Sequence, residues 1–226
     1  MANGKDLSFL RKFILFSEMS DEDLSTVASL LQTRIFKDGT NIFFEGEEGD
    51  RVYFLKKGRV KVKKTSPDGG EQILEIITPG DVFGEVVLFG IDRYPATTVA
   101  IGEVVVDYLS RSKFRRYFTN NPEIGWGMLK VMARKLARSQ KRIENLGLRD
   151  TKGRVATLIM DMMRDFGEKN NQVVKLHFNR QELANFIGTS RETVSRTLSE
   201  FKSEGLIDIK GKKLIIKDIE GLKRWL

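Results

Sequence analysis

The chain has 226 residues, 40% of them hydrophobic, enough to bury a sizeable core in one or two domains. It contains no cysteine, which excludes structural disulfides, thiolate zinc sites and Cys-ligated iron–sulfur clusters, and a cytoplasmic protein is the expectation. The net charge of +8 is uneven: residues 1–120 carry 17 Lys+Arg against 18 Asp+Glu, residues 121–148 carry 6 against 2, and residues 149–226 carry 16 against 11. A footprint for phosphates in the C-terminal part accounts for this excess, and so does ordinary solubilising charge.

The opening MANGKDLSFLRKF is broken by charges before any apolar core of signal-peptide length. No stretch approaches the roughly 20 apolar residues needed to cross a bilayer, so no membrane contact is expected. Residues 7–33 read as short helices, with Leu7, Leu10, Ile14 and Leu15 apolar. Ser20 followed by Asp23 forms a helix start ahead of Leu24, Val27, Leu30 and Leu31.

From Thr33 to Ser110 the apolar period becomes two. It predicts strands in TRIFKDG, NIFFEGE, RVYFLKKG, RVKVKKT, EQILEIITPG and, after an interruption, TTVAIGEVVVDYLS. Turn signals separate them at Asp38-Gly39, Glu48-Gly49-Asp50, Lys57-Gly58, Pro67-Asp68-Gly69-Gly70 and Pro79-Gly80-Asp81, a punctuation that predicts a compact antiparallel jelly roll or barrel. The interruption runs Phe83-Gly84-Glu85-Val86-Val87-Leu88-Phe89-Gly90, a glycine followed by a short helical turn. Backbone N–H groups at a helix start plus a nearby cation make a small anion-binding cassette this way. A helical crossover inside the roll explains the same residues.

Asn121 followed by Pro122 predicts the start of one long helix reaching Leu148. Leu129, Met132, Leu136, Ser139, Ile143 and Leu146 alternate spacings of three and four, the seam of a two-stranded coiled coil. The flanking Arg and Lys favour a parallel dimer over packing of this seam on its own domain. Asp150 to Gly153 is a hinge candidate, VATLIMDMM from Arg154 onward an amphipathic helix, and VVKLHF a strand. LIDIKGKKLIIKD closes as a hairpin with Lys210-Gly211-Lys212-Lys213 at its tip, and a last helix carries Ile219, Leu222 and Trp225.

Between the strand and the hairpin lies NRQELANFIGTSRETVSRTLSEFKSEG, which predicts two short helices joined by a tight turn. Asn179 and Glu182 make a capping box, Leu183, Ala184 and Ile187 the apolar side, and Gly188 the end. Val194, Leu198 and Phe201 give the second helix a buried stripe, leaving Arg191, Glu192, Ser195 and Arg196 off it near the N-terminus. A helix-turn-helix reads DNA with this division, since arginine forks onto guanine and a carboxylate accepts from cytosine N4. The bland alternative is that Glu192 closes a capping box with Thr189 and the arginines are merely solvated.

These residues resemble the Crp/Fnr family of bacterial transcription regulators over nearly the whole chain. The carrying features are GTNIFFEGEEGDRVYFLKKGRVKV, the cassette entry FGE, the long helix ending LGLRDTKGRVA, and above all FNRQELANFIGTSRETVSR. The resemblance implies an α+β fold: an N-terminal antiparallel β-roll of cyclic-nucleotide-binding type over 1–120, a dimerisation helix over 121–148, and a C-terminal winged helix-turn-helix over 149–226. It implies that Arg191, Glu192 and Arg196 read a TGTGA-like half-site, with Ser195 echoing the branch that reads TTGAT. Ser190, Arg180 and Gln181 match phosphate-contacting positions, and Lys212 and Lys213 stand in the wing. It implies double-stranded DNA, a second copy of the chain, and RNA polymerase as partners, the last through Gly167 to Gln172.

For the roll, the resemblance implies a small-molecule effector, a cyclic nucleotide or another ligand, held by Gly84, Glu85, Val86, Arg93, Ala96 and Thr97, with Ser139 and Gln140 of the long helix nearby. The cyclic-AMP-binding branch places Arg-Ser/Thr directly before the cassette's Ala, whereas Tyr94-Pro95 precedes Ala96 here. Proline has no N–H and tyrosine is no cation, so an effector other than cyclic AMP is expected. No other cofactor is expected. His177, the only histidine, lies outside the roll, which speaks against a haem ligand and against a histidine-clustered metal enzyme of jelly-roll type. No catalytic constellation or metal set is found. The alternative function is a cyclic-nucleotide-responsive regulatory module acting on a protein partner.

Overall fold

The computed structural model describes residues 7–121, 123–166, 173–175, 178–211 and 213–226. They form two compact units, Met1–Leu136 and Ala137–Leu226. In the first, α1 (Leu7–Leu10) and α2 (Asp21–Leu30) precede the strands. Ser20 caps α2 by accepting the Asp23 N–H at 3.1 Å, as the sequence predicts. A six-stranded antiparallel sheet follows, ordered β1 (Gln32–Phe36), β6 (Thr97–Ser110), β3 (Arg51–Thr65), β4 (Glu71–Ile77), with β2 (Asn41–Phe43) on β6 and β5 (Val82–Phe83) on β3.

The two strands expected at 51–58 and 59–65 are one. The Lys57-Gly58 signal marks a bulge, with register shifts against β6 between Leu55 and Lys57 and between Lys57 and Arg59. Gly58 has φ 84°, and a Cβ there would stand 2.4 Å from the Glu103 carbonyl oxygen, so glycine bends the strand without breaking it. Alternation along β3 divides two cores. Tyr53, Leu55 and Val60 face Phe36, Phe83, Val87 and Val104, while Val52 and Phe54 face Phe13, Phe16, Leu24, Leu109 and Phe114. The continuous apolar run VYFL is what a strand buried on both faces requires.

After α3 (Arg111–Asn120), the long helix α4 (Glu123–Leu148) begins in the first unit and ends in the second. Ile124, Met128 and Val131 bury one stripe of it in the core around Phe13 and Phe54. Leu129, Leu136, Ile143 and Leu146 of the expected seam are exposed.

In the second unit, α5 (Thr151–Phe166) starts earlier than expected. Lys152 and Gly153 are helical, Asp150 Oδ1 accepts the Gly153 N–H at 2.8 Å, and the break from α4 is only Arg149-Asp150. The three-stranded sheet β7 (Val173–Lys175), β9 (Lys213–Ile216), β8 (Ile207–Lys210) packs with α5, α6 (Arg180–Ile187), α7 (Arg191–Ser203) and α8 (Ile219–Lys223). Lys210 pairs with Lys213 at the hairpin tip. Pro122, Gly167 to Gln172, His177 and Lys212 lie outside the described residues.

Candidate nucleic-acid interface and sensor cassette

The two-helix unit is built as its sequence reads. Asn179 Oδ1 accepts the Glu182 N–H at 2.9 Å, and Glu182 Oε2 accepts the Asn179 N–H at 3.1 Å, which closes the capping box of α6. Gly188, at φ 69°, ends the helix and sends its N–H back to the Ala184 carbonyl. Ser190 caps α7 by accepting the Thr193 N–H at 3.1 Å. The cap therefore lies one residue after Thr189, and the position a capping box uses is held by Thr193. Glu192 is left out of the cap.

Val194, Thr197, Leu198 and Phe201 are buried, and Phe201 meets the Trp225 ring at 6.0 Å between centroids. With that stripe fixed inward, Arg191, Glu192 and Arg196 are exposed and Ser195 is half-buried. The side chains of Arg191, Glu192 and Arg196 make no hydrogen bond or ion pair among the described residues. Ser190, Gln181 and Lys213 are also exposed, although Gln181 Nε2 donates to Asn185 Oδ1 at 2.8 Å. Arg180 is half-buried. Desolvation lowers its pKa, and its Nη1 has no hydrogen-bond partner among the described residues.

The cassette begins at Gly84, whose φ of 72° leads into a short 3-10 helix, Glu85–Phe89. A Cβ on Gly84 would crowd the Arg51 carbonyl oxygen at 3.1 Å and the rings of Tyr53 and Tyr94 at 3.2 and 3.3 Å. Glu85 is 5% exposed. Its carboxylate is held by Lys135 of α4, with Nζ 3.1 Å from each oxygen. Val86 is half-buried, Ala96 is buried, and Thr97 Oγ1 accepts the Glu45 N–H at 3.0 Å. Arg93 is turned to the neighbouring loop, where it donates to the Gly46 carbonyl at 2.7 Å and lies 3.6 Å from Glu48. Ser139 and Gln140 are exposed on α4 in the second unit.

Tyr94 belongs to the roll's core. Its ring stacks on Phe43 at 3.7 Å between centroids and its hydroxyl donates to the Arg51 carbonyl at 3.0 Å. Burial pushes its pKa up, and that of Tyr53 likewise. A cleft of about 670 Å³ at the start of α3, lined by Asp50, Arg111, Arg115, Arg116 and neighbouring hydroxyls, contains none of the cassette residues.

A model of the cyclic nucleotide-binding domain matches residues 33–121, and a model of the Crp-like helix-turn-helix domain matches residues 153–225. A protein of Mycobacterium tuberculosis named CRP-like cAMP-activated global transcriptional regulator is 32% identical, over 93% of this chain and 95% of its own length. The chain belongs to the Crp/Fnr family of transcription regulators. A CRP/FNR-family regulator from Thermus thermophilus shares the structure with a TM-score of 0.73 at 29% identity, covering 86% of this chain and 97% of that one. FixK2 from Bradyrhizobium japonicum gives 0.79 at 24% identity, over 86% and 96%, a likeness of fold.

In this Crp/Fnr regulator three side chains matter that sequence reasoning did not single out. Lys135 follows Ile124, Met128 and Val131 at helical spacing, and a lysine continuing a buried stripe signals a paired cation. Arg142 and Arg154 both donate to carbonyls at the end of α6. Nothing in their local spacing marks them, because their acceptors are backbone atoms more than thirty residues away in sequence. Among the described residues no helix is long and apolar enough to cross a membrane.

Proposed function

We propose that this regulator is a cytoplasmic, non-enzymatic homodimer that reads a near-palindromic TGTGA/TTGAT-like site in double-stranded DNA. One observation carries the reading. The first turns of α7 expose Arg191, Glu192 and Arg196, uncommitted among the described residues, while Val194, Leu198 and Phe201 fix which face turns outward. Uncommitted guanidinium and carboxylate groups at a helix N-terminus suit guanine and cytosine edges in a major groove. The exposure of Ser190, Gln181 and Lys213 supports a role for them at phosphates, whereas the unpartnered Nη1 of Arg180 is buried.

Dimerisation through residues 121–148 is supported by the exposure of Leu129, Leu136 and Ile143 at 60%, 61% and 70% on one helix. Such a pair sets two reading helices about 34 Å apart, one turn of duplex. The roll of 1–120 then acts as the sensor for the winged domain of 149–226.

We further propose an effector other than cyclic AMP, although the Mycobacterium tuberculosis relative is named as cAMP-activated. The support is chemical. Directly before Ala96, Tyr94 is spent on Phe43 and Arg51, Pro95 has no N–H, and Arg93 is engaged by Gly46 and Glu48. Among these described residues none offers a cyclic phosphate an uncommitted cation. Glu85 remains as an acceptor for a hydroxyl-bearing ligand able to displace Lys135. Contact with RNA polymerase through Gly167 to Gln172 stays an implication of the family, that segment lying outside the described residues.

Selection of bound duplexes from a random pool, with and without cyclic nucleotides, tests both parts. A palindrome recovered equally with and without cyclic AMP is the expected result. Recovery of no sequence would refute the DNA-reading assignment, and recovery only with cyclic AMP would refute the effector assignment.

A further inference from the structure

Beyond Leu136, the half-buried residues of α4 are Arg142 and Asn145, followed at its end by Arg149, spaced three and four apart on one face. Two of them reach other elements of the same unit. Arg142 Nη2 donates to the Phe186 carbonyl at 2.9 Å, and its guanidinium lies 4.2 Å from the Phe186 ring centroid. Arg149 donates from Nε to Asn145 Oδ1 at 2.8 Å and from Nη1 to the Leu226 carbonyl. From the other side Arg154 Nη1 donates to the Ile187 carbonyl at 3.2 Å.

Phe186 and Ile187 are the last residues of α6, where carbonyls lack helical partners and carry the negative end of the helix dipole. Gly188, Thr189 and Ser190 then turn the chain into α7. Two guanidinium groups thus converge on the turn that sets the reading helix. The Arg142 contact is two-sided, a carbonyl hydrogen bond plus a guanidinium over the Phe186 ring, which an ammonium reproduces only in part.

We propose that Arg142 is a positioning residue for DNA reading, clamping the turn before α7 to the end of α4 so that the helix-turn-helix moves with that helix. The inference rests on the dimeric-reader assignment and bears on the hinge candidate at Asp150 to Gly153. With Asp150 capping α5 and Arg149 holding Leu226, the Arg149-Asp150 break is braced. Spacing between the two reading helices of a dimer is then a property of the paired α4 helices, transmitted through Arg142.

The test uses the full chain and the selected palindrome in three forms: natural half-site separation, two base pairs inserted, and one half-site alone. The insertion turns one half-site by about 70° relative to the other. Wild type binds the inserted duplex far more weakly than the natural one. In Arg142→Ala that ratio shrinks by about tenfold, the scale of one hydrogen bond to a charged group, while single half-site binding stays within about twofold. Arg142→Lys recovers part of the ratio. Phe186→Leu keeps the carbonyl bond and removes the ring, so it shrinks the ratio less, and it serves if Arg142→Ala does not fold. A wild-type spacing ratio in the folded variants overturns the clamp, as does an equal loss on all three duplexes. No spacing preference in wild type itself overturns the dimeric reader, and the clamp with it.

Discussion

Replacing Arg191 by alanine separates base reading from mere attraction to phosphates. Arg191 is exposed at the first residue of α7, and its side chain makes no hydrogen bond or ion pair among the described residues. Its removal therefore leaves no buried group unpaired, and folding stability changes by less than about 0.5 kcal/mol. A bidentate arginine–guanine pair supplies about 1–3 kcal/mol of discrimination, or roughly 5- to 150-fold in affinity for the selected palindrome. On scrambled duplex the same change removes only one unit of charge, and binding falls by a small factor that disappears as salt rises. Fluorescence anisotropy on both duplexes at matched salt gives the ratio directly. Equal losses on the selected and scrambled sequences would show that Arg191 touches backbone only, and the face assigned to reading would be wrong.

Lys213→Ala should weaken both duplexes alike and reduce the slope of log affinity against log salt by about 0.9, as loss of one phosphate contact does; an unchanged slope removes the hairpin tip from the interface. Ile143→Glu should give monomers in sedimentation with an unchanged circular dichroism spectrum, since Ile143 is 70% exposed within one protomer; a persistent dimer would place the interface elsewhere. Tyr94→Phe removes the donor to the Arg51 carbonyl and should lower stability by about 1 kcal/mol in urea. Burial raises the pKa of Tyr94, so the folded protein holds a proton that unfolded tyrosine sheds near its ordinary pKa of about 10. Wild-type stability is thus intact below about pH 10 and falls as pH rises beyond it, and Tyr94→Phe should flatten that fall. A decline as steep in the variant would assign the proton to Tyr53 or another group.

What is legible in the chain follows the range of the forces involved. The helix-turn-helix can be read because its signals are local. Asn179 and Glu182, Gly188, and the Val194–Leu198–Phe201 stripe each act within a few residues, and all are found as read. The choice of Ser190 over Thr189 as cap lies below that resolution, although it decides whether Glu192 is free. The single strand β3 escapes a sequence reading because Lys57-Gly58 has turn chemistry, and only the partner strand's Glu103 carbonyl shows that glycine is there to let a bulge pass. Glu85 is found by resemblance, but its Lys135 partner is fifty residues away, so no local pattern joins them. Tyr94-Pro95 reads in the sequence as the absence of a cation and of an N–H. The stacking of Tyr94 on Phe43 shows a positive role, since the position that would serve a phosphate is used to build the roll.

Helix α4 carries two separate demands, and they fall on different stripes. Ile124, Met128, Val131 and Lys135 face the helix's own roll and the Glu85 carboxylate. Leu129, Leu136 and Ile143 lie to one side, exposed. Met132 of the expected seam also packs on the roll's core, but Lys135 and Ile143 each belong to one stripe alone, so a change at either need not disturb the other. Displacing Lys135 from Glu85 frees a buried carboxylate without touching a seam leucine, while Ile143→Glu removes the seam without touching the cassette. If an effector acts by taking Glu85, Lys135→Met should mimic neither bound nor free protein. It leaves Glu85 at 5% exposure without the ammonium that holds it, a state that costs several kcal/mol. Lys135→Met should then lower stability in urea and change the affinity for the selected palindrome. An unchanged affinity in the folded variant would mean that the Glu85–Lys135 pair has no part in control.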